Sequence, residues 1–179
     1  MKVLILPGFS VKNKIWLEEA GKSLSKGKRN SCILREWTHW RTGNKKDFSL
    51  KKEILGIKEK IKNQNNLFLL AKSIGTYVGA NLIAHEQDVD FERIIFCGLP
   101  LNDLSVFAKE KFANCFFGIS AKKILVVQND LDPHGLYDQV KEFLNGANKD
   151  IKLVKMQADN HDYFYFDFFR EEFLKKEWL

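Results

Sequence analysis

Cysteine is scarce: Cys32, Cys97 and Cys115 are the only three in 179 residues. They are scattered, with neither the paired spacing of a disulfide framework nor that of a zinc site, so they read as reduced thiols. The three prolines, the lack of an internal period and the lack of a low-complexity tract exclude a repeat array or a disordered chain. No apolar run approaches the roughly 20 residues that a membrane span needs. The apolar run ending at Leu6 is too short for a secretory signal, and no small-residue cleavage site follows it. These absences make a cytoplasmic protein the expectation. The four histidines, His39, His85, His134 and His161, lack zinc-ligand spacing, and there is no Walker-type phosphate loop, so no metal and no cofactor is expected.

The sequence has enough apolar residues for one sizeable core, 45% hydrophobic against 29% charged, and its length fits a single domain over 1–179. The formal charge of +6 comes mostly from lysines spread over helical stretches at 22–29, 45–52 and 58–62. Such runs are solvated faces, and no aromatic-basic motif accompanies them, so nucleic acid is not an expected partner.

Short continuous apolar runs predict strands at 2–6, 31–36, 66–71, 93–97, 123–128 and 151–156. Helical spacing falls between them: around 15–24, at 49–62, after Ser73, as one or two short helices within 101–121, and at 136–144. Residues 37–44 read as a polar and aromatic loop, and the aromatic stretch 163–169 as part of a last helix packed on the core, with contact to a second copy or to a membrane surface as the alternatives. Strands alternating with helices predict an α/β fold, a doubly wound and mostly parallel sheet with helices on both faces. Loops at the carboxyl ends of such strands are where function gathers.

Four features fall at those ends: Gly8-Phe9 after the first strand, Ser73 after the third, Asp132 after the fifth and His161 after the sixth. Ser73 lies in Ala71-Lys72-Ser73-Ile74-Gly75, a small-x-Ser-x-Gly pattern at a strand-to-helix corner. A serine there has its oxygen lifted clear of the backbone, and the amide of Ile74 lies at the positive end of the new helix. Serine is also an ordinary helix cap, so the corner alone does not decide. The order serine, acid, histidine adds weight. His161 would take the serine proton, Asp132 would hold the imidazole in one tautomer, and the amides of Phe9 and Ile74 would receive an oxyanion.

Asp132 precedes Pro133, which gives its carboxylate a defined direction, whereas Asp130 could serve the turn and Asp132 itself could cap the following helix. His134, close to Asp132 in sequence, competes with His161. Trp37, Trp40, Phe9 and Leu99 are candidates for an apolar rim around Ser73, although for the tryptophans packing of a surface loop onto the body is the first reading. Lys72 reads as an exposed lysine at a helix start.

Taken together, Leu6-Pro7-Gly8, Ser73-Ile74-Gly75, Asp132-Pro133 and Asn160-His161 make the chain resemble the α/β-hydrolase superfamily over essentially its whole length. It is most similar to the small, cap-poor serine hydrolases of the retinoblastoma-binding group. The resemblance implies strand order 2-1-3-4-5-6 and esterase-like chemistry; a small-molecule acyl substrate and a monomer or homodimer are expected. A protein that keeps the fold but only binds is the alternative.

Overall fold

In the computed structural model, which describes residues 1–86, 89–175 and 178, six strands form one parallel sheet. β1 (Lys2–Leu6) lies between β2 (Ser31–Leu34) and β3 (Leu67–Lys72), and β4 (Phe91–Cys97), β5 (Ile124–Asn129) and β6 (Lys152–Met156) extend the sheet in order 2-1-3-4-5-6. Alternation along each strand divides the core in two, because successive side chains point to opposite faces. Val3, Ile5 and Leu70 pack on one face with Trp16, Leu17 and Ala20 of α1 (Asn13–Leu24) and Phe169 and Phe173 of α7 (Phe166–Leu174). Leu4, Leu6, Leu69 and Ala71 pack on the other with α3 (Leu50–Ile61), α4 (Ile74–His85), α5 (Val106–Phe117) and α6 (Tyr137–Ala147). Fully burying each large apolar side chain is worth roughly 1.5–3 kcal/mol. The aromatic tail therefore helps hold α7 on the sheet, with Phe164 left exposed.

Residues 37–44 are not all loop. Thr38–Thr42 forms a one-turn helix, α2, closed by Gly43 in the left-handed region (φ 73°), whose amide bonds the His39 carbonyl. A buried carboxylate anchors it: Glu53 of α3 accepts from the Thr38 amide at 2.9 Å and pairs with Arg35 just past β2. The stretch 98–123 between β4 and β5 holds two single 3₁₀ turns and α5, which packs against the sheet as part of the main body. Among the described residues, no helix is long and apolar enough to cross a membrane. Strand order reverses between β1 and β3, the position at which open α/β sheets hold their ligands.

Candidate active site

Ser73 is the single residue between β3 and α4, and its backbone is held at φ 54°, ψ −127°, a region that residues with a Cβ seldom enter. Its amide donates to the Cys97 carbonyl of β4 at 3.0 Å, and its carbonyl accepts from the amide and hydroxyl of buried Thr76 at 2.8 and 2.7 Å. The half-buried side chain is thus directed by bonds its backbone makes, and its hydroxyl has no hydrogen-bond partner among the described residues. Gly75 is required by close approach: a Cβ there would lie 2.5 Å from the Leu6 carbonyl oxygen and 2.8 Å from that of Pro7. The turn after β3 is in this way pressed against the end of β1.

Asp132 is fully buried, and its two oxygens do different work. Oδ1 accepts from the His134 amide at 2.8 Å, an ordinary turn-capping bond, while Oδ2 accepts from His161 Nδ1 at 2.7 Å. Two more donors converge on Oδ2, the Tyr163 hydroxyl at 2.6 Å and Gln128 Nε2 at 3.3 Å. These donors fix the direction of the carboxylate. Beyond the bond from Nδ1 to Asp132, His161 Nε2 is buried with no hydrogen-bond partner among the described residues. The His161 ring lies over Gly98, where a Cβ would come 2.9 Å from Cε1, and Gly98 directly follows the Cys97 carbonyl that receives the Ser73 amide.

The other acid and histidine candidates point elsewhere. Asp130 pairs with Lys155 at 2.8 Å, and His134 directs Nδ1 to Asp103 at 2.6 Å while its ring packs 4.3 Å from that of His161.

The loop after β1 is clamped by α2 and its neighbour. Trp37 Nε1 donates to the Gly8 carbonyl at 3.0 Å, and Trp40 Nε1 and His39 Nε2 both donate to the Phe9 carbonyl at 2.8 Å. His39 stacks on the Phe9 ring, and its own Nδ1 is buried without a partner among the described residues. With these carbonyls turned to α2, neither the Phe9 amide nor the Ile74 amide donates to an acceptor among the described residues. Trp37 and Leu99 are fully buried, so their side chains pack in the core and do not form an open rim. Trp40 is half-buried, with its ring nitrogen tied to Phe9.

Lys72 is a correction to the sequence reading. It is 5% exposed, donates to Asn13 Oδ1 at 2.8 Å and lies 5.6 Å over the Trp16 ring. Burial lowers its ammonium from the ordinary lysine range, opposed by Cys97, Asp162 and Asp132. Asn13 also bonds the Ser10 carbonyl at 3.1 Å and fills the space beside Gly8, so the loop after β1 is braced from this side too.

The sequence reading also missed Gln128 and Tyr163. Gln128 is fully buried at the end of β5, accepts from the Leu99 amide at 2.9 Å and donates to the Gly135 carbonyl at 2.6 Å as well as to Asp132. A polar residue closing an otherwise apolar strand was the available signal. Among the described residues, no group of three or more His, Cys, Asp or Glu converges on a possible metal position.

No protein-family model matches the chain, and no curated protein matches it by sequence. Solved structures do match in fold. Est1E from Butyrivibrio proteoclasticus, with ferulic acid bound, superposes with a TM-score of 0.67 at 15% identity over 96% of this chain and 85% of its own. An α/β serine hydrolase homologue from Coxiella burnetii gives 0.61 at 21% identity, covering 96% and 82%. XC6422 from Xanthomonas campestris, described as an a/b serine hydrolase without lid, gives 0.57 at 16% identity, covering 95% and 77%. This protein therefore has the α/β-hydrolase fold.

Proposed function

We propose that the chain is a carboxylesterase-like serine hydrolase that cleaves a small ester, thioester or amide through an acyl-enzyme. The observation that carries the reading is the pairing of two features at the carboxyl ends of the strands: a serine held at a strained strand-to-helix turn, and a His161–Asp132 pair whose Nε2 is buried without a hydrogen-bond partner among the described residues. Ser73 Oγ attacks the acyl carbon as His161 Nε2 takes its proton. The bond to the leaving group then breaks, and the leaving group carries that proton away. Water repeats the sequence on the acyl-serine, and Ser73 regains its proton. Asp132 stabilises the imidazolium in both halves, and the amides of Phe9 and Ile74 are the donors to the oxyanion.

Within the fold we place the protein among the small, cap-poor serine hydrolases of the retinoblastoma-binding group, on the motifs quoted above and the single helix between β4 and β5. The three free cysteines favour a reducing, cytoplasmic setting.

The second reading, a binding protein that keeps the fold, is favoured by one observation: the Ser73 hydroxyl makes no bond to His161. Such bonds are often long in unliganded enzymes and tighten in the complex. A fluorophosphonate probe decides between the two, because phosphonylation needs an activated serine. Labelling at Ser73, lost on Ser73→Ala, is the expected result; an unlabelled native protein establishes the binding reading. A panel of activated acyl esters then defines the substrate class.

A further inference from the structure

We infer that Tyr163 is a positioning residue of this site: its hydroxyl, donated to the same Asp132 oxygen that accepts from His161, fixes the direction of the carboxylate and through it the imidazole. The inference rests on the serine-hydrolase reading above. Tyr163 is 1% exposed, and its hydroxyl has two partners, accepting from the Asn129 amide at 2.9 Å and lying 2.6 Å from Asp132 Oδ2. Because the phenol has one proton and one side is already occupied by a donor, that proton points at the carboxylate. Burial first, then the neighbouring Asp132 charge, raises the phenol far above its ordinary range, so it remains a donor at neutral pH.

The backbone is arranged for this contact. Tyr163 has φ 57°, uncommon for a bulky aromatic residue, and its carbonyl is pinned by Trp16 Nε1 of α1 at 3.0 Å. The left-handed turn brings residues 161 and 163 to one oxygen. Their rings meet edge to face at 5.6 Å, and the Tyr163 ring fills the space over Gly98, where a Cβ would lie 2.5 Å from Cε2. Without the phenol proton, Oδ2 keeps only His161 and the long bond from Gln128 at 3.3 Å. Oδ1 stays tied to the His134 amide, but Oδ2 loses its shortest bond, so the carboxylate is held less closely in direction and the imidazole shifts with it.

The test is a double-mutant cycle on p-nitrophenyl acetate with Tyr163→Phe and Asp132→Asn. Phenylalanine retains the ring and its packing, so native circular dichroism is expected. Tyr163→Phe should lower kcat by about tenfold with KM within about twofold, since a small misplacement of a reacting group is costly in rate. In the Asp132→Asn background the same change should cost less than about twofold, because the residue it acts through is gone. An unchanged kcat, or an equal loss in both backgrounds, overturns the inference and leaves Tyr163 a packing residue. Fluorophosphonate labelling of Ser73 in the native protein separates the two levels: its absence sinks the hydrolase reading, whereas labelling with a kcat indifferent to Tyr163→Phe sinks only this inference.

Discussion

Replacing Ser73 by glycine separates the strain at the turn from its chemistry. A residue with a Cβ held at φ 54°, ψ −127° stores about 1–3 kcal/mol. Glycine enters that region freely, but its greater freedom in the unfolded chain costs about 0.5–1 kcal/mol. The Ser73 hydroxyl has no hydrogen-bond partner among the described residues, so removing it breaks no bond. Ser73→Gly should therefore stabilise the fold by about 1 kcal/mol, and Ser73→Ala, which keeps the strain, should stay within about 0.5 kcal/mol of the native protein. In a domain of this size 1 kcal/mol moves Tm by about 2–4 °C. Thermal unfolding followed by circular dichroism should rank glycine above alanine, with alanine near native, while both variants lose hydrolysis by about a thousandfold or more. A glycine variant no more stable than the alanine variant would refute the strain argument, and hydrolysis retained in Ser73→Ala would remove Ser73 as nucleophile.

Three further outcomes are expected. Asp132→Asn should slow acylation by about ten-thousandfold through loss of the imidazolium partner, whereas Asp130→Asn, whose carboxylate faces Lys155, should stay near native; the reverse ranking with one activated ester would reassign the acid. Burial pushes the Cys115 thiol up to about 11, so the folded state keeps a proton that the unfolded state starts to lose near the ordinary value of 9.0. Its stabilising effect is complete below pH 9.0 and is lost as pH rises towards 11, so Cys115→Ala should flatten the alkaline fall of urea-unfolding stability; an unchanged slope would exclude the thiol as its source. With only α5 and two 3₁₀ turns between β4 and β5, short acyl esters should outperform long ones, and a steady rise in kcat/KM from acetyl to palmitoyl would contradict that.

Most of the scaffold was legible because buried parallel strands are written as continuous apolar runs, and β1, β3 and β5 fall within a residue or so of the expected bounds. Strand order was not readable from those runs and came with the resemblance. Helix α2 escaped because one turn is shorter than the period that would reveal it. Ser73, Asp132 and His161 stood out through their place after strands, yet what orients them did not. Lys72 looked solvent-facing because its partner, Asn13, is 59 residues away. Packing is the first reading of Trp37, whereas Leu99 looked like a rim residue because nothing local reports that its amide is drawn to Gln128. Tyr163 was hidden in an aromatic run whose spacing reads simply as core.

The long-range bonds around Asp132 and Ser73 also bear on how the protein is made. In vectorial synthesis the strand carrying Ser73 emerges early, but the carbonyl that receives its amide belongs to Cys97, the carboxylate to the loop after β5, and the imidazole to residue 161. Trp16 waits for the Tyr163 carbonyl, 147 positions later. Non-local pairing of this kind is slow, since loop closure precedes any contact that rewards it. The backbone bond that holds the Ser73 turn therefore waits for Cys97, and the His161–Asp132 pair proposed to serve it waits until residue 161 has been translated.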